Sequence, residues 1–332
     1  MAYQDKLLLR TSLSDIGDKK DHGSYCSSPD MIAHALVDNP QEEFGGNYDK
    51  DPNQKIDKLS RTNTIYIRVK SMQETDESVE GYVRLYRADC SLFMNTNKWK
   101  NNKLFTPKGK SYVKVTTQKN GDISVGDDVL VVDGRQPYFC MVGIVNDSAD
   151  ETLPDVFHSY NAFISWVHSE RCVAVRNFTL EFSGTSNDYE ILYNFSNPES
   201  KPRLGSILIE ASNLPKGTIY GLVNDAMGMN KSAVYDPNDE NTKQVTDSAY
   251  LRASFDGYVK IYAKVPDGTV WPADAVLETS FWISAEDGED MLQFAQPAEN
   301  ILMNTSSLMK CCESNSNSGR LVRVGSCVTM YI

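Results

Sequence analysis

Four histidines, seven cysteines and 45 acidic side chains are what this 332-residue chain offers for chemistry. Nucleophilic catalysis needs a Ser or Cys beside a positioned His and an orienting acid. His22, His34, His158 and His168 stand in no such motif; there is no GxSxG elbow, and Ser169 after His168 is ordinary sequence. Zinc favours paired ligands, as in CxxC or HExxH. The nearest arrangements are His22 with Cys26 and the adjacent Cys311 and Cys312, and neighbours in a strand point to opposite faces. Most of the thiols are expected to be reduced. A Cys312 to Cys327 bridge is open to the chain only in an oxidising space, and sequence does not assign the pairing. The chain is therefore expected not to be an enzyme.

Oxygen-rich loops occur at 47–53 (NYDKDPN), 236–241 (DPNDEN) and 286–290 (EDGED). A hard cation takes about six to eight oxygen ligands, so calcium is the ion they would hold, with Asp236, Asp239 and Glu240 as the candidate ligands. None follows the DxDxDG spacing, and the competing reading is solvated acidic surface. Aromatics supply the other candidates. Trp99, in the polar run 95–102, and Trp271, beside Pro272, are the tryptophans least committed to a core, and such rings serve in sugar stacking and at protein interfaces. For both, burial under a loop is the alternative; Trp166 and Trp282 alternate with apolar residues and are expected to be packed.

The elements that would position these groups are strands. Period-2 alternation recurs in TIYIRVK (64–70), GYVRLYRA (81–88) and SYVKVTT (111–117), each expected to be half-buried. VLVV (129–132) and YFCMVGIV (138–145) are apolar on both faces, as in central strands. In CVAVRNFTLEF (172–182) the apolar set changes face partway, predicting a bulge or bend. A turn-rich SGTSND (183–188) interrupts the pattern, which restarts with Tyr189, Ile191, Tyr193 and Phe195 on one face. Further strands are expected at 206–211, 250–255, 258–265, 276–283, 291–294 and 321–328, with exposed loops at 224–247 and 314–319. Clean 3.6-residue stripes are scarce, so little helix is expected, with a short one allowed in 287–309. Short strands at about ten-residue spacing predict an all-β chain of two tandem antiparallel β-sandwiches. The expected domains are 1–183, with an extended N-terminal segment, and 188–332.

A net charge of -12 argues against a nucleic-acid partner, because displacing counterions from phosphates needs clustered Lys and Arg. The longest apolar run, Tyr138 to Val145, has eight residues, far from the roughly 18 needed to span a bilayer. The first twenty residues lack a basic region followed by an apolar stretch and a small-residue cleavage site, so no Sec signal is visible. Synthesis in the cytosol is expected, with any export by another route.

Five segments, SSPD (27–30), NTIYIRV (63–69), GYVRLYRAD (81–89), QPYFCMVGIVN (136–146) and VAVRNFTLEF (173–182), stand in an order that resembles bacterial immunoglobulin-like domains of the cell-adhesion-related type. The second half, YEILYNFSNPESKPRLGSILIE (189–210) followed by NLPKGT (213–218), looks like the second sandwich that follows in such proteins. The chain also resembles accessory proteins encoded beside bacterial α-pore-forming toxins, of the motility-associated killing factor type of Vibrio. The resemblance implies immunoglobulin-like sandwiches without a catalytic group of their own. It further implies an interaction or scaffolding role toward a protein partner, such as a toxin component or surface structure. The alternative from another class is a carbohydrate-binding module using Trp99 and Trp271, with calcium.

Overall fold

The computed structural model describes residues 3–18, 25–54, 56–57, 60–88, 95–134, 140–178, 180–182, 188–298, 301 and 319–331. The chain divides into two compact units, the first made of residues 1–88, 93–157 and 162–178, the second of 89–92, 158–161 and 179–332. Each contains two β-sheets of mostly antiparallel strands, an all-β sandwich arrangement. The stretch 183–187, where the sequence predicts the join, lies outside the described residues, as do His22, Cys90, Cys311 and Cys312.

In the first unit the strands are β1 (Leu7–Leu8), β2 (Met31–Ala33), β3 (Ile56–Asp57), β4 (Asn63–Ser71), β5 (Val79–Ala88), β6 (Val113–Thr117), β7 (Ile123–Val125), β8 (Leu130–Val132), β9 (Cys140–Asn146) and β10 (Val173–Asn177). Helices α1 (Thr96–Asn101) and α2 (Tyr160–Ser169) interrupt them, the first two residues of α2 being counted with the second unit. One sheet runs β10-β9-β5-β6. In the other, β4 pairs antiparallel with four short strands: β8 along residues 63–65, β2 along 65–67, β7 along 68–70 and β1 along 70–71.

The doubly apolar pattern of β9 places it as expected, between β10 and β5 with all seven residues buried. Fully burying a Val, Ile or Met side chain contributes about 1.5–3 kcal/mol, so such a strand anchors the unit. At Gly143 of β9, a Cβ would lie 2.9 Å from Leu9 Cδ2 and 3.0 Å from Met31 Sδ. The missing side chain lets the facing sheet approach that closely.

β4 was expected to be half-buried, with Ile65, Ile67 and Val69 inside. Those three are inside, but Tyr66 and Arg68 on the opposite face are buried too. The helical turn Gln41–Gly45 covers that face, and Phe44 packs on Tyr66 at 4.9 Å between ring centroids. A second correction concerns α2. Tyr160, Phe163, Ile164 and Val167 are all buried, an i, i+3, i+4, i+7 stripe in a stretch not read as helix.

The second unit contains β11 (Leu180–Phe182), β12 (Asp188–Asn194), β13 (Arg203–Ser212), β14 (Ile219–Asn224), β15 (Met229–Val234), β16 (Gln244–Leu251), β17 (Tyr258–Lys264), β18 (Val276–Ser284), β19 (Gln296–Pro297) and β20 (Arg320–Tyr331). One sheet runs β16-β13-β18-β20-β11, with β19 on β20, and the other β12-β17-β14-β15. Most pairs are antiparallel; β11 pairs parallel with β20. Tyr193 and Phe195 from one sheet meet Phe281 of the other at 5.4 and 5.5 Å. The change of face in 172–182 marks the end of β10 in a sheet of the first unit and the start of β11 in a sheet of the second.

Three readings are corrected here. The polar stretch 224–247 contains β15 and the start of β16 rather than a single loop. β15 is an edge strand with Asn230, Lys231 and Ser232 exposed, and polar edges protect against unwanted pairing. The strand expected at 250–255 ends at Leu251, and 291–294 is a turn of 3-10 helix. Among the described residues, no helix is long and apolar enough to cross a membrane.

Candidate functional site

A groove of the first unit forms where a connecting segment crosses between its two sheets. β6 covers β5 only along Val79–Val83, which leaves the backbone of residues 85–87 free on that side. Residues 102–104 take its place: Arg87 N–H donates to the Asn102 carbonyl and Leu104 N–H to the Leu85 carbonyl, each at 2.9 Å. One residue later the segment reaches the other sheet, where Val131 N–H of β8 donates to the Phe105 carbonyl at 2.9 Å. Thr106 then closes a turn, accepting from Gly109 N–H and donating its own N–H to the Lys110 carbonyl. The floor is thus held from both sides by backbone hydrogen bonds.

Above this floor lies an open groove of about 580 Å³, lined by Arg61, Thr62, Arg87, residues 101–107 and residues 131–133. Three cations face it. Lys103 donates to Glu151 at 2.9 Å, and the Tyr86 hydroxyl donates to the other oxygen of the same carboxylate at 3.0 Å. Burial opposes the charge on Glu151, yet these two hydrogen bonds hold its carboxyl below the usual range. Lys103 is therefore neutralised within the unit. Arg61 and Arg87 are not: among the described residues neither guanidinium makes a hydrogen bond or ion pair. The apolar part of the wall includes Phe105, 48% exposed, with Pro107 and Val131 beside it.

Trp99 belongs to this site from below. Of its two readings the structure shows burial: the side chain is 0% exposed, in α1, and not free in a polar loop. Its ring stacks on Trp166 at 6.1 Å and lies within 6.4 Å of Tyr86, Phe157 and Phe163. Its carbonyl accepts from Asn102 N–H at 2.9 Å, so the ring fixes the start of the groove floor. Trp271 is likewise buried, at 8% exposure, in a turn of the second unit. Neither offers an open ring face for a sugar to stack on. Trp166 and Trp282 are packed, as expected.

The candidate calcium ligands do not converge. Asp236 pairs with Lys216 at 2.7 Å and accepts from Asn238 N–H, interactions that lower its pKa. Asp239 accepts from the backbone and side chain of Asn241, both at 3.0 Å, and Glu240 pairs with Lys243. The other two oxygen-rich loops follow the same rule. Arg176 pairs with Asp51 at 2.9 Å, and Arg203 and Lys201 take Glu289 and Glu286. A lysine or arginine of the chain balances each loop. Among the described residues, no group of three or more His, Cys, Asp or Glu could hold a metal ion.

Both ring nitrogens of His34 are engaged, Nδ1 donating to the Ala35 carbonyl and Nε2 accepting from the Gln54 amide, each at 2.9 Å. Cys26, Cys140 and Cys172 are buried thiols outside any disulfide. Burial pushes the Cys172 thiol up to about 12, which makes it a poor nucleophile.

Sequence reasoning missed Arg61, Arg87 and Phe105. A signal was present: residues 98–110 (KWKNNKLFTPKGK) carry five lysines and no acid in a chain of net charge -12. Such an inversion of local charge marks a surface unlike the rest.

No protein-family model and no curated protein sequence matches the chain. Solved structures that resemble it include the calcium-binding domain CBD12 of CALX1.1, at 7% identity over 84% of this chain and 96% of that one, with a TM-score of 0.20. The collagen adhesin of S. aureus matches at 6% identity over 83% and 89%, TM-score 0.21. The Enterococcus faecalis adhesin ACE matches at 9% identity over 84% and 98%, TM-score 0.22. At such TM-scores the likeness carries no argument, and the fold rests on the chain's own sheets.

Proposed function

We propose that this chain is a non-enzymatic binding protein that engages a protein partner through the groove of its first unit. One observation carries the reading: two guanidiniums without internal partners stand beside an exposed aromatic on a backbone held from both sheets. Arg and aromatic side chains dominate the energetics of protein interfaces, and a preformed floor lowers the entropy lost on binding. The test replaces Phe105 with a photo-crosslinking amino acid in the source cells, with Lys119 in the exposed β6–β7 turn as the control position. The expected result is one discrete crosslinked species from position 105 and none from position 119. No adduct at 105, or the same adducts at both, overturns the reading. The resemblance noted from the strand motifs supports a toxin component or surface structure as the partner. Mass spectrometry of the adduct decides whether the crosslinked protein is one of these.

A further inference from the structure

Resting on the groove as the binding surface, we propose that its occupant is an extended acidic peptide segment of the partner. Carboxylates of that segment meet Arg61 and Arg87, and an apolar side chain covers Phe105. Charge is the first argument. The chain carries -12 overall, yet the groove and the adjoining residues 98–110 bring together Arg61, Arg87 and five lysines. Lys103 is matched by Glu151 and Lys108 by Asp128; Asp133, the one acid in the lining, is itself engaged, and Arg61 and Arg87 are the groove cations that form no ion pair among the described residues. A guanidinium presents a planar fork that pairs with a carboxylate through two parallel hydrogen bonds. An acidic ligand is drawn to this groove and repelled by the rest of an acidic surface, so the charge pattern also sets where it docks.

The second argument is the mixed wall. A free phosphate or other small anion would leave Phe105, Pro107 and Val131 uncovered, whereas a peptide alternating acidic and apolar side chains uses both. A nucleic acid would bring a dense row of phosphates against a strongly acidic protein with few cations to release its counterions. The floor adds a third element. Backbone hydrogen bonds to β5 and β8 hold residues 102–105 in place before any ligand arrives.

The test is fluorescence anisotropy of the full chain with a labelled octapeptide of alternating Glu and Phe. A Lys-for-Glu peptide, inorganic phosphate and a single-stranded oligonucleotide serve as the other arms. The expected result is binding of the Glu peptide alone, weakening as salt is raised. Charge-assisted hydrogen bonds contribute about 1.5–3 kcal/mol, so Arg61→Ala and Arg87→Ala should each weaken binding about tenfold or more. Arg87→Lys should recover part of the loss, since it restores charge without the fork. Arg61 is exposed and Arg87 half-buried, and neither side chain holds another group, so folding of the variants, checked by circular dichroism, should be unchanged. Equal binding of the Lys peptide, insensitivity to both arginine variants, or displacement by the oligonucleotide or phosphate would overturn the proposal. No peptide affinity with the position-105 crosslink retained rejects the acidic ligand alone; loss of both rejects the groove as the binding surface.

Discussion

Nε of Arg68 donates to Oδ1 of Asp30 at 2.8 Å, with both side chains fully buried. Asp30 also accepts from the backbone N–H, Nε and Nη2 of Arg10, and the Tyr48 ring covers the Arg10 guanidinium at 3.4 Å. Arg68 spends its remaining donors on the carbonyls of Pro29, Phe44, Asn47 and Lys50, tying the loop after the helical turn to β4. A single carboxylate thus serves two buried guanidiniums.

Asp30→Ala should destabilise the first unit by about 3–5 kcal/mol, because removing one member of a buried ion pair leaves uncompensated charge. Denaturant unfolding followed by the fluorescence of Trp99 and Trp166 measures it. A loss under about 1 kcal/mol would mean the network relaxes or admits water.

Trp99→Ala should cost about 3–5 kcal/mol of first-unit stability, the usual cost of emptying a large aromatic site. Trp99→Phe, which keeps a ring against Trp166, should cost less. Unchanged stability with a selective loss of a sugar ligand would restore the ring to the role the sequence allowed it.

In the second unit, burial opposes the charge on Glu289, but hydrogen bonds from Arg203 and from Glu286 N–H hold its pKa below the ordinary value. A depressed folded pKa contributes stability above the unfolded value, near 4.3 for Glu, and that stability is lost as pH falls through the folded pKa. Thermal unfolding of the second unit should therefore weaken as pH falls below about 4. Glu289→Gln should flatten that dependence.

Millimolar calcium should leave the thermal midpoint unchanged, because Asp236, Glu240, Glu286 and Glu289 are already matched by Lys216, Lys243, Lys201 and Arg203. A ligand that binds the native state raises its stability by RT ln(1 + [L]/Kd), so a rise of several degrees in differential scanning calorimetry would reveal a site. Magnesium serves as the comparison.

Strand content was legible wherever alternation or a doubly apolar run was strong. β4, β5, β6, β9, β12, β13, β17, β18 and β20 all follow patterns that local sterics and burial impose on the chain. Reduced, buried Cys140 was legible for the same reason, since its neighbours are apolar on both sides. β15 escaped because an edge strand carries polar residues that also read as a loop. α2 escaped because its apolar stripe is only ten residues long and its aromatics fit alternation as well.

Local sequence thus determined two β-sandwiches and the acidic exterior, because pleat and net charge are properties of adjacent residues. Tertiary structure alone decided the rest, since it depends on groups far apart in the chain. Arg61, Arg87, Phe105 and Val131 line one groove only because residues 102–105 bond to β5 on one side and β8 on the other. Trp99 lies beneath that groove because α2, some sixty residues on, brings Phe163 and Trp166 against it. Glu289 finds Arg203 and Asp236 finds Lys216, matches that composition counts but cannot place.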